Sequence, residues 1–366
     1  MKRHRNAAAL LVSAAALTTL AQAPSSVAVP AASGFAGRVG LASSTVYVPA
    51  ATAYGYLQQA RDGGVTWIRE DFAWSVIEPS PGRFRWRRTD ALMRNAAKLG
   101  INVLAVAAYA PPWASGHPES DYYPPLDPTA YAAFVTAVAK RYGRNGVFWK
   151  QHRLLAPRPL SAIEIWNEPW HAYFWRPTPD PKAYARLVRV AAGAVKSVHP
   201  EISILASGDI FEMLDTRPGE SPDWLSPLLA ADKDLWRQRL VDAWSVHLYC
   251  QNRSPLDSTT PQRWRFDRVL LTRALASKVG ATKPIWITEF GWNTDPGDAE
   301  SVTEAMQAQF ERDSLVRVAN QWSFVQRSFV FQWTKPSGND GYNLLRPDGS
   351  TRPAWEAIRT LIATGR

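Results

Sequence analysis

The chain has 366 residues, a formal net charge of +10, 46% hydrophobic residues, 17 tryptophans and one cysteine. A lone Cys250 excludes an intramolecular disulfide, so stability has to come from burial, and Cys250 itself reads as a small buried hydrophobe. The basic residues are scattered rather than grouped with aromatics, which argues against a nucleic-acid partner, and the histidines (His4, His117, His152, His171, His199, His247) lack the close spacing of a metal site, so neither metal nor cofactor is expected.

In chain order, Lys2, Arg3 and Arg5 precede an apolar run over 7–20, and small residues follow at Ala21-Gln22-Ala23 and Ser26-Val27-Ala28. This is the pattern of a secretory signal peptide, so residues 1–33 are expected to be leader and spacer, although Pro24 sits poorly just after the first candidate cleavage point. Without the three charges of that leader the mature chain carries +7, a bias that favours acidic glycans or envelopes. No other stretch reaches the roughly 20 apolar residues of a membrane span. A secreted, soluble, monomeric protein with one domain over 34–366 is expected.

Eight short apolar runs rich in Val, Ile and Trp follow, at 38–43, 65–69, 102–109, 162–166, 202–206, 243–249, 284–288 and 328–333. Near-continuous apolar character is what strands buried on both faces require. Between them lie segments of helical period with visible starts: Asp127-Pro128 opens TAYAAFVTAVAKRYG, Asp180-Pro181 opens KAYARLVRVAAGAVKSV, and Arg352-Pro353 opens AWEAIRTLI. The alternation predicts an α/β fold, and eight units predict a closed (β/α)8 TIM barrel.

Links from helix to strand are brief, at 61–64, 98–100, 199–201 and 278–283. Links after strands are often long and rich in Pro, Trp, Tyr and Gly, as in YAPPWASGHPESDYYPPLDP and NEPWHAYFWRPTPDP. In a β/α barrel the loops after strands build the active face. Two strands deliver a glutamate there: AIEIWNEPW ends strand four on Asn167 and Glu168, and PIWITEFGW ends strand seven on Glu289. Two carboxylates across a cleft are the minimum equipment for glycoside hydrolysis, one donating a proton to the leaving oxygen and the other attacking or activating water. Arg69, at the end of strand two, is the cation best placed to keep a nucleophile ionised; its other reading is an internal ion pair with Glu164 or Asp71. Asn167 can donate to the sugar 2-hydroxyl, or simply serve the turn before Pro169.

These stretches resemble retaining glycoside hydrolases of clan A, and within them family 39, the β-xylosidase/α-L-iduronidase-like branch with its bacterial exopolysaccharide hydrolases. The resemblance runs over roughly 37–362 and is carried by WIREDFAWSVIEPSPGRFRW, YAPPWAS, YYPPLDPTAYAAFV, IEIWNEPW, FWRPTPDPKAYARL, WSVHLYC, WITEFGW and GYNLLRPDGSTRPAWEAI. It implies Glu168 as acid/base and Glu289 as nucleophile, an arginine at the place of Arg69, a His247-x-Tyr249 pair with the tyrosine hydroxyl near the nucleophile, and Trp333 as an aromatic floor under the sugar. His247 has a second reading as a satisfied core histidine. Trp113, Trp170, Trp175 and Trp292 lie at strand ends or in active-face loops, where a flat ring can stack on a sugar, whereas Trp67, Trp86 and Trp355 are assigned to packing.

The chain departs from relatives at Gly341-Tyr342-Asn343-Leu344-Leu345, where many have Gly-Leu-Leu, and a nearly bare barrel is expected in place of one with an added β-sandwich. The expected substrate is a poly- or oligosaccharide. A transglycosidase would share the same site, and a non-catalytic carbohydrate-binding barrel is the alternative of another class.

Overall fold

A computed structural model describes residues 35, 37–210, 223–335 and 341–365; the segment 1–33, expected to be leader and spacer, lies outside them. Eight strands form in the expected order: β1 (Val39–Ala42), β2 (Trp67–Asp71), β3 (Asn102–Ala107), β4 (Ala162–Ile165), β5 (Ser203–Ser207), β6 (Ala243–His247), β7 (Ile285–Phe290) and β8 (Val325–Val330). Each pairs in parallel with the next, and β8 returns to β1, closing the barrel. Leu41 lies opposite Ile68 of β2 on one side and Val330 of β8 on the other. Strand β8 starts three residues before the apolar run suggests, because its first turn carries Gln326 and Arg327, whose polarity hides the strand. Likewise β2 continues past Arg69 through Glu70 to Asp71.

The helices start where the Asp-Pro signals place them. Asp127 accepts from the Thr129 amide at 2.8 Å and opens Pro128–Tyr142. Asp180 accepts from Lys182 and Ala183 at 2.8 and 2.9 Å and opens Pro181–Val198. Both caps satisfy amides that the helix itself leaves free. A buried tyrosine on each helix then fastens it to the active face. Tyr131 Oη donates to the Ala107 carbonyl at 2.6 Å, and Tyr184 Oη donates to the Ile165 carbonyl at 2.7 Å, at the ends of β3 and β4 where the sheet ladder stops.

Alternation along the strands divides the barrel interior into two parts. At the N-terminal end, Trp67, Leu104, Ala162, Leu205, Ala243, Trp286 and Phe329 form an apolar cluster of their own. Trp67 meets Trp286 edge to face at 5.3 Å, and the Arg327 guanidinium covers both rings, 3.9 Å from the first and 5.0 Å from the second. Gly40 makes this packing possible, because a Cβ there would lie 2.6 Å from the Phe329 ring. Two residues further along β2, β4 and β7 the inward positions are Arg69, Glu164 and Thr288. The interior therefore turns polar toward the active face.

Candidate active site

Arg69 is the hub of that polar layer. Its Nε donates to Glu164 Oε2 at 2.7 Å, its Nη1 to Glu289 Oε1 at 2.6 Å and its Nη2 to Asn167 Oδ1 at 2.8 Å. The two readings of Arg69 from sequence thus describe one side chain: it pairs internally with Glu164 and also holds Glu289. Thr288 Oγ1 donates to the other oxygen of Glu164 at 3.0 Å. Burial opposes the Arg69 charge, but Glu164 and Glu289 outweigh it and raise the guanidinium above its ordinary value. Burial would also raise Glu164; Arg69 and His247 reverse this and hold its carboxyl down to about 2. This is the pattern of a buried charge kept ionised by paired, hydrogen-bonded partners.

Strand β4 stops at Ile165, and the following turn is left-handed at Trp166, with φ of +63°, and at Glu168, with φ of +43°. Non-glycine residues in such conformations cost of order 1–3 kcal/mol each and persist where their surroundings over-determine them. Here the Trp166 amide donates to the Ala107 carbonyl and to Tyr131 Oη, both at 3.2 Å, its indole N–H donates to the Phe174 carbonyl at 2.8 Å, and the Glu168 carbonyl accepts from the His171 amide at 3.0 Å. Asn167, between the two, is clamped at both ends of its amide: Oδ1 faces Arg69, and Nδ2 donates to Tyr109 Oη at 2.9 Å.

Strand β6 ends on His247, two residues short of the expected run, and Tyr249 follows just past its end at the same place. Tyr249 Oη donates to Glu289 Oε2 at 2.6 Å. His247 Nδ1 lies 2.7 Å from Glu168 Oε1 and 3.5 Å from Glu289 Oε2, while its Nε2 lies 3.8 Å from Glu164 Oε1. Burial disfavours charge on His247, yet three carboxylates around it raise its value to about 10. A raised histidine stabilises the fold fully below its ordinary value of 6.5 and loses that contribution as the pH rises through about 10. His247→Gln is therefore expected to show its largest stability deficit at about pH 6.5 and just below, with the gap to the parent narrowing toward pH 10 in urea unfolding followed across that range. A constant gap would mean that His247 acts through packing alone.

Among the described residues, Glu168, His247 and Glu289 form the grouping whose potential ligand atoms, one from each, lie within 4.8 Å of one another. Such a set can offer ligands to a metal, but the Nδ1 that faces both glutamates already forms a 2.7 Å hydrogen bond with Glu168, which an ion would have to replace.

These groups open onto a cavity of about 450 Å³ whose lining includes Arg69, Asn167, Glu168 and Glu289. Its other walls include Tyr47, Asp71, Tyr109, Tyr122, Phe331 and Lys335, none of them chosen as a site residue from the sequence. Asp71 and Phe331 were within reach: Asp71 lies two residues beyond Arg69 on one strand face, and Phe331 lies two beyond the inward Phe329.

Four tryptophans expected to stack on sugar are instead packed into the fold. Trp333, past the end of β8, is fully buried against Trp355 with centroids 4.6 Å apart and donates to the Tyr56 carbonyl at 2.9 Å, so Phe331 takes the place expected for it beneath the cavity. Trp292 donates to the Arg253 carbonyl and Trp113 to the Glu78 carbonyl, each at 2.9 Å, and Trp175 packs edge-on against Trp166 at 5.5 Å. A buried indole needs a partner for its N–H, and a backbone carbonyl met in the loops supplies it. Trp170 is half-buried beside His171 and does not line the cavity.

The family model described as glycosyl hydrolase catalytic core matches residues 166–356, and a model described as beta-galactosidase matches residues 48–123. Among solved structures, the chain is similar to a family 39 glycoside hydrolase from Bacteroides cellulosilyticus WH2, with a TM-score of 0.65 and 21% identity over 89% of this chain and 63% of that one. It is also similar to xylanase 10B from Thermotoga maritima, with a TM-score of 0.58 and 15% identity over 91% of this chain and 96% of the other, and to a GH30 endoxylanase from Clostridium papyrosolvens C71, with a TM-score of 0.58 and 17% identity over 90% and 72%. These likenesses concern the fold, and the chain spans 63% of the length of the Bacteroides protein. No curated protein matches the sequence. With more than half of its length matched by the one model, this chain belongs to the glycosyl hydrolase catalytic-core family.

Proposed function

We propose that the protein is an exported, retaining O-glycoside hydrolase that cleaves a poly- or oligosaccharide by double displacement. The observation that carries this reading is the close approach of Glu168 and Glu289, which offer carboxylate oxygens within 4.8 Å of each other. Retaining glycosidases hold their carboxyl groups about 5–5.5 Å apart, whereas inverting ones leave roughly 6.5–9.5 Å for a water. Export rests on the signal-peptide pattern read in the sequence of residues 1–33.

In the first step Glu168 gives its proton to the glycosidic oxygen while Glu289 attacks the anomeric carbon from the opposite face, forming a glycosyl ester and releasing the leaving sugar. In the second, Glu168 takes a proton from water, the water oxygen attacks the anomeric carbon, and Glu289 leaves as carboxylate. Arg69 and Tyr249 each donate to one oxygen of Glu289, which fixes the orientation of its carboxylate. His247 engages Oε1 of Glu168, which leaves Oε2 to exchange the proton. The test is the anomeric configuration of the first product, read by proton NMR during cleavage of a glycan found by screening bacterial and plant polysaccharides for reducing-sugar release. Retention is expected; inversion would overturn the covalent mechanism. A sugar acceptor in place of water would turn the same site into a transglycosidase.

A further inference from the structure

Between β2 and β3 the chain carries Gly82-Arg83-Phe84-Arg85-Trp86-Arg87-Arg88. The four arginines are exposed, while Phe84 and Trp86 are half-buried and stacked with centroids 5.0 Å apart. Ordinary surface charge does not explain this segment, for three reasons. None of the four guanidinium groups has an ion-pair partner among the described residues, whereas the nearby Asp90 is taken by Arg141 at 2.6 Å. Arg87 and Arg88 begin the helix Arg87–Leu99, at the end where the helix dipole disfavours positive charge. And Arg85 and Arg88 line a small crevice whose remaining wall includes Tyr47, Asp71, Ala73 and Val76, all four of which also line the main cavity. The Arg88 guanidinium sits 5.7 Å from the Tyr47 ring, at the boundary between the two spaces.

We propose that this arginine segment is an anion-binding extension of the sugar cavity, taking a carboxylate or sulfate borne by a sugar unit outside the catalytic position. The inference rests on the glycosidase reading of the cavity. The main cavity carries four carboxylates, Asp71, Asp121, Glu168 and Glu289, against Lys335 and an Arg69 already bonded to two glutamates, whereas the crevice at its edge sets Arg85 and Arg88 against Asp71 alone, so the acid is placed in the crevice. The substrate class is thus an acidic heteropolysaccharide in which the unit cleaved is uncharged and a neighbouring unit is acidic. Neighbouring guanidinium groups suit such a ligand, since each presents a fork of donors that can bind two oxygens of one carboxylate or sulfate.

The probe is hyaluronan, in which uronate alternates with an uncharged amino sugar, compared with uncharged dextran in affinity electrophoresis of the full chain. Retardation by hyaluronan but not by dextran is expected, weakening as salt is added. Arg85→Gln/Arg88→Gln is expected to weaken binding about tenfold, given the strength of hydrogen bonds to charged groups. Arg144→Gln/Arg153→Gln, which removes the same charge from other exposed positions, is expected to leave binding within about twofold of the parent. Chondroitin sulfate in a third gel extends the test to a sulfate. Equal weakening by both double variants, or equal retardation by hyaluronan and dextran, would overturn the proposal. Arginine-dependent binding with no cleavage of any glycan would sink the glycosidase reading instead, while cleavage with arginine-independent binding would sink this one.

Discussion

Glu289→Ala is expected to lower kcat/KM by at least about 10⁴-fold, the scale on which removal of a covalent nucleophile acts. Among the described residues its carboxylate is the one reached by both Arg69 and Tyr249, so the variant takes the acceptor from two aimed donors. Glu168→Ala is expected to lose about 10²–10⁴-fold, as for a general acid, and less on an aryl glycoside whose leaving group departs without protonation. Azide separates the two roles. In Glu168→Ala it can enter the vacated volume and resolve the glycosyl ester, giving a glycosyl azide of the substrate's configuration. In Glu289→Ala it replaces the nucleophile and gives the opposite configuration. Product NMR reads both, and cleavage by Glu289→Ala at a rate within about tenfold of the parent would remove Glu289 from the chemistry.

Arg69→Met is expected to cost about 3–5 kcal/mol of folding stability, because breaking a buried ion network strands the charges left behind. Two carboxylates and the Asn167 amide would lose their shared donor. The pH dependence identifies the cause. Glu164 is held down to about 2 from an ordinary 4.5, so its stabilising contribution is complete above 4.5 and disappears as the pH falls through about 2. The gap between parent and Arg69→Met in urea unfolding should therefore narrow across that acid range. Adding Glu164→Gln to Arg69→Met should recover part of the loss. A gap independent of pH would assign the cost to packing and not to charge.

How much of this was legible in the chain follows from what each residue type can report alone. The barrel was legible because parallel strands buried on both faces read as apolar runs and because Asp-Pro pairs announce helix starts. Glu168 and Glu289 stood out because a carboxylate at the end of such a run contradicts its surroundings. Arg69, Asn167, His247 and Tyr249 followed from strand position and resemblance, and the structure gathers all four around the two glutamates. The tryptophans were not legible: whether an indole faces a cavity or a backbone carbonyl depends on the loop's path, and tryptophan serves both uses. Asp71 was weighed only as an ion-pair partner for Arg69, and its place in the cavity wall depends on β2 running two residues beyond the apolar run. The reading of the basic residues as scattered and not grouped with aromatics fails at 83–88, where four arginines interleave with Phe84 and Trp86; the run is visible in the sequence, but the crevice that Arg85 and Arg88 line is not.

The division of the barrel interior sets where this protein can change safely. None of the residues of the apolar N-terminal cluster lines the cavity, so substitutions there are expected to alter heat tolerance while leaving the cavity wall intact. The Arg69–Glu164–Thr288 tier admits no such freedom: an apolar set of equal volume could make a sturdier barrel, yet it would remove the floor on which Glu289 and Asn167 rest. Changes that firm the barrel and changes that reshape the cavity are therefore expected to fall at opposite ends of the same eight strands.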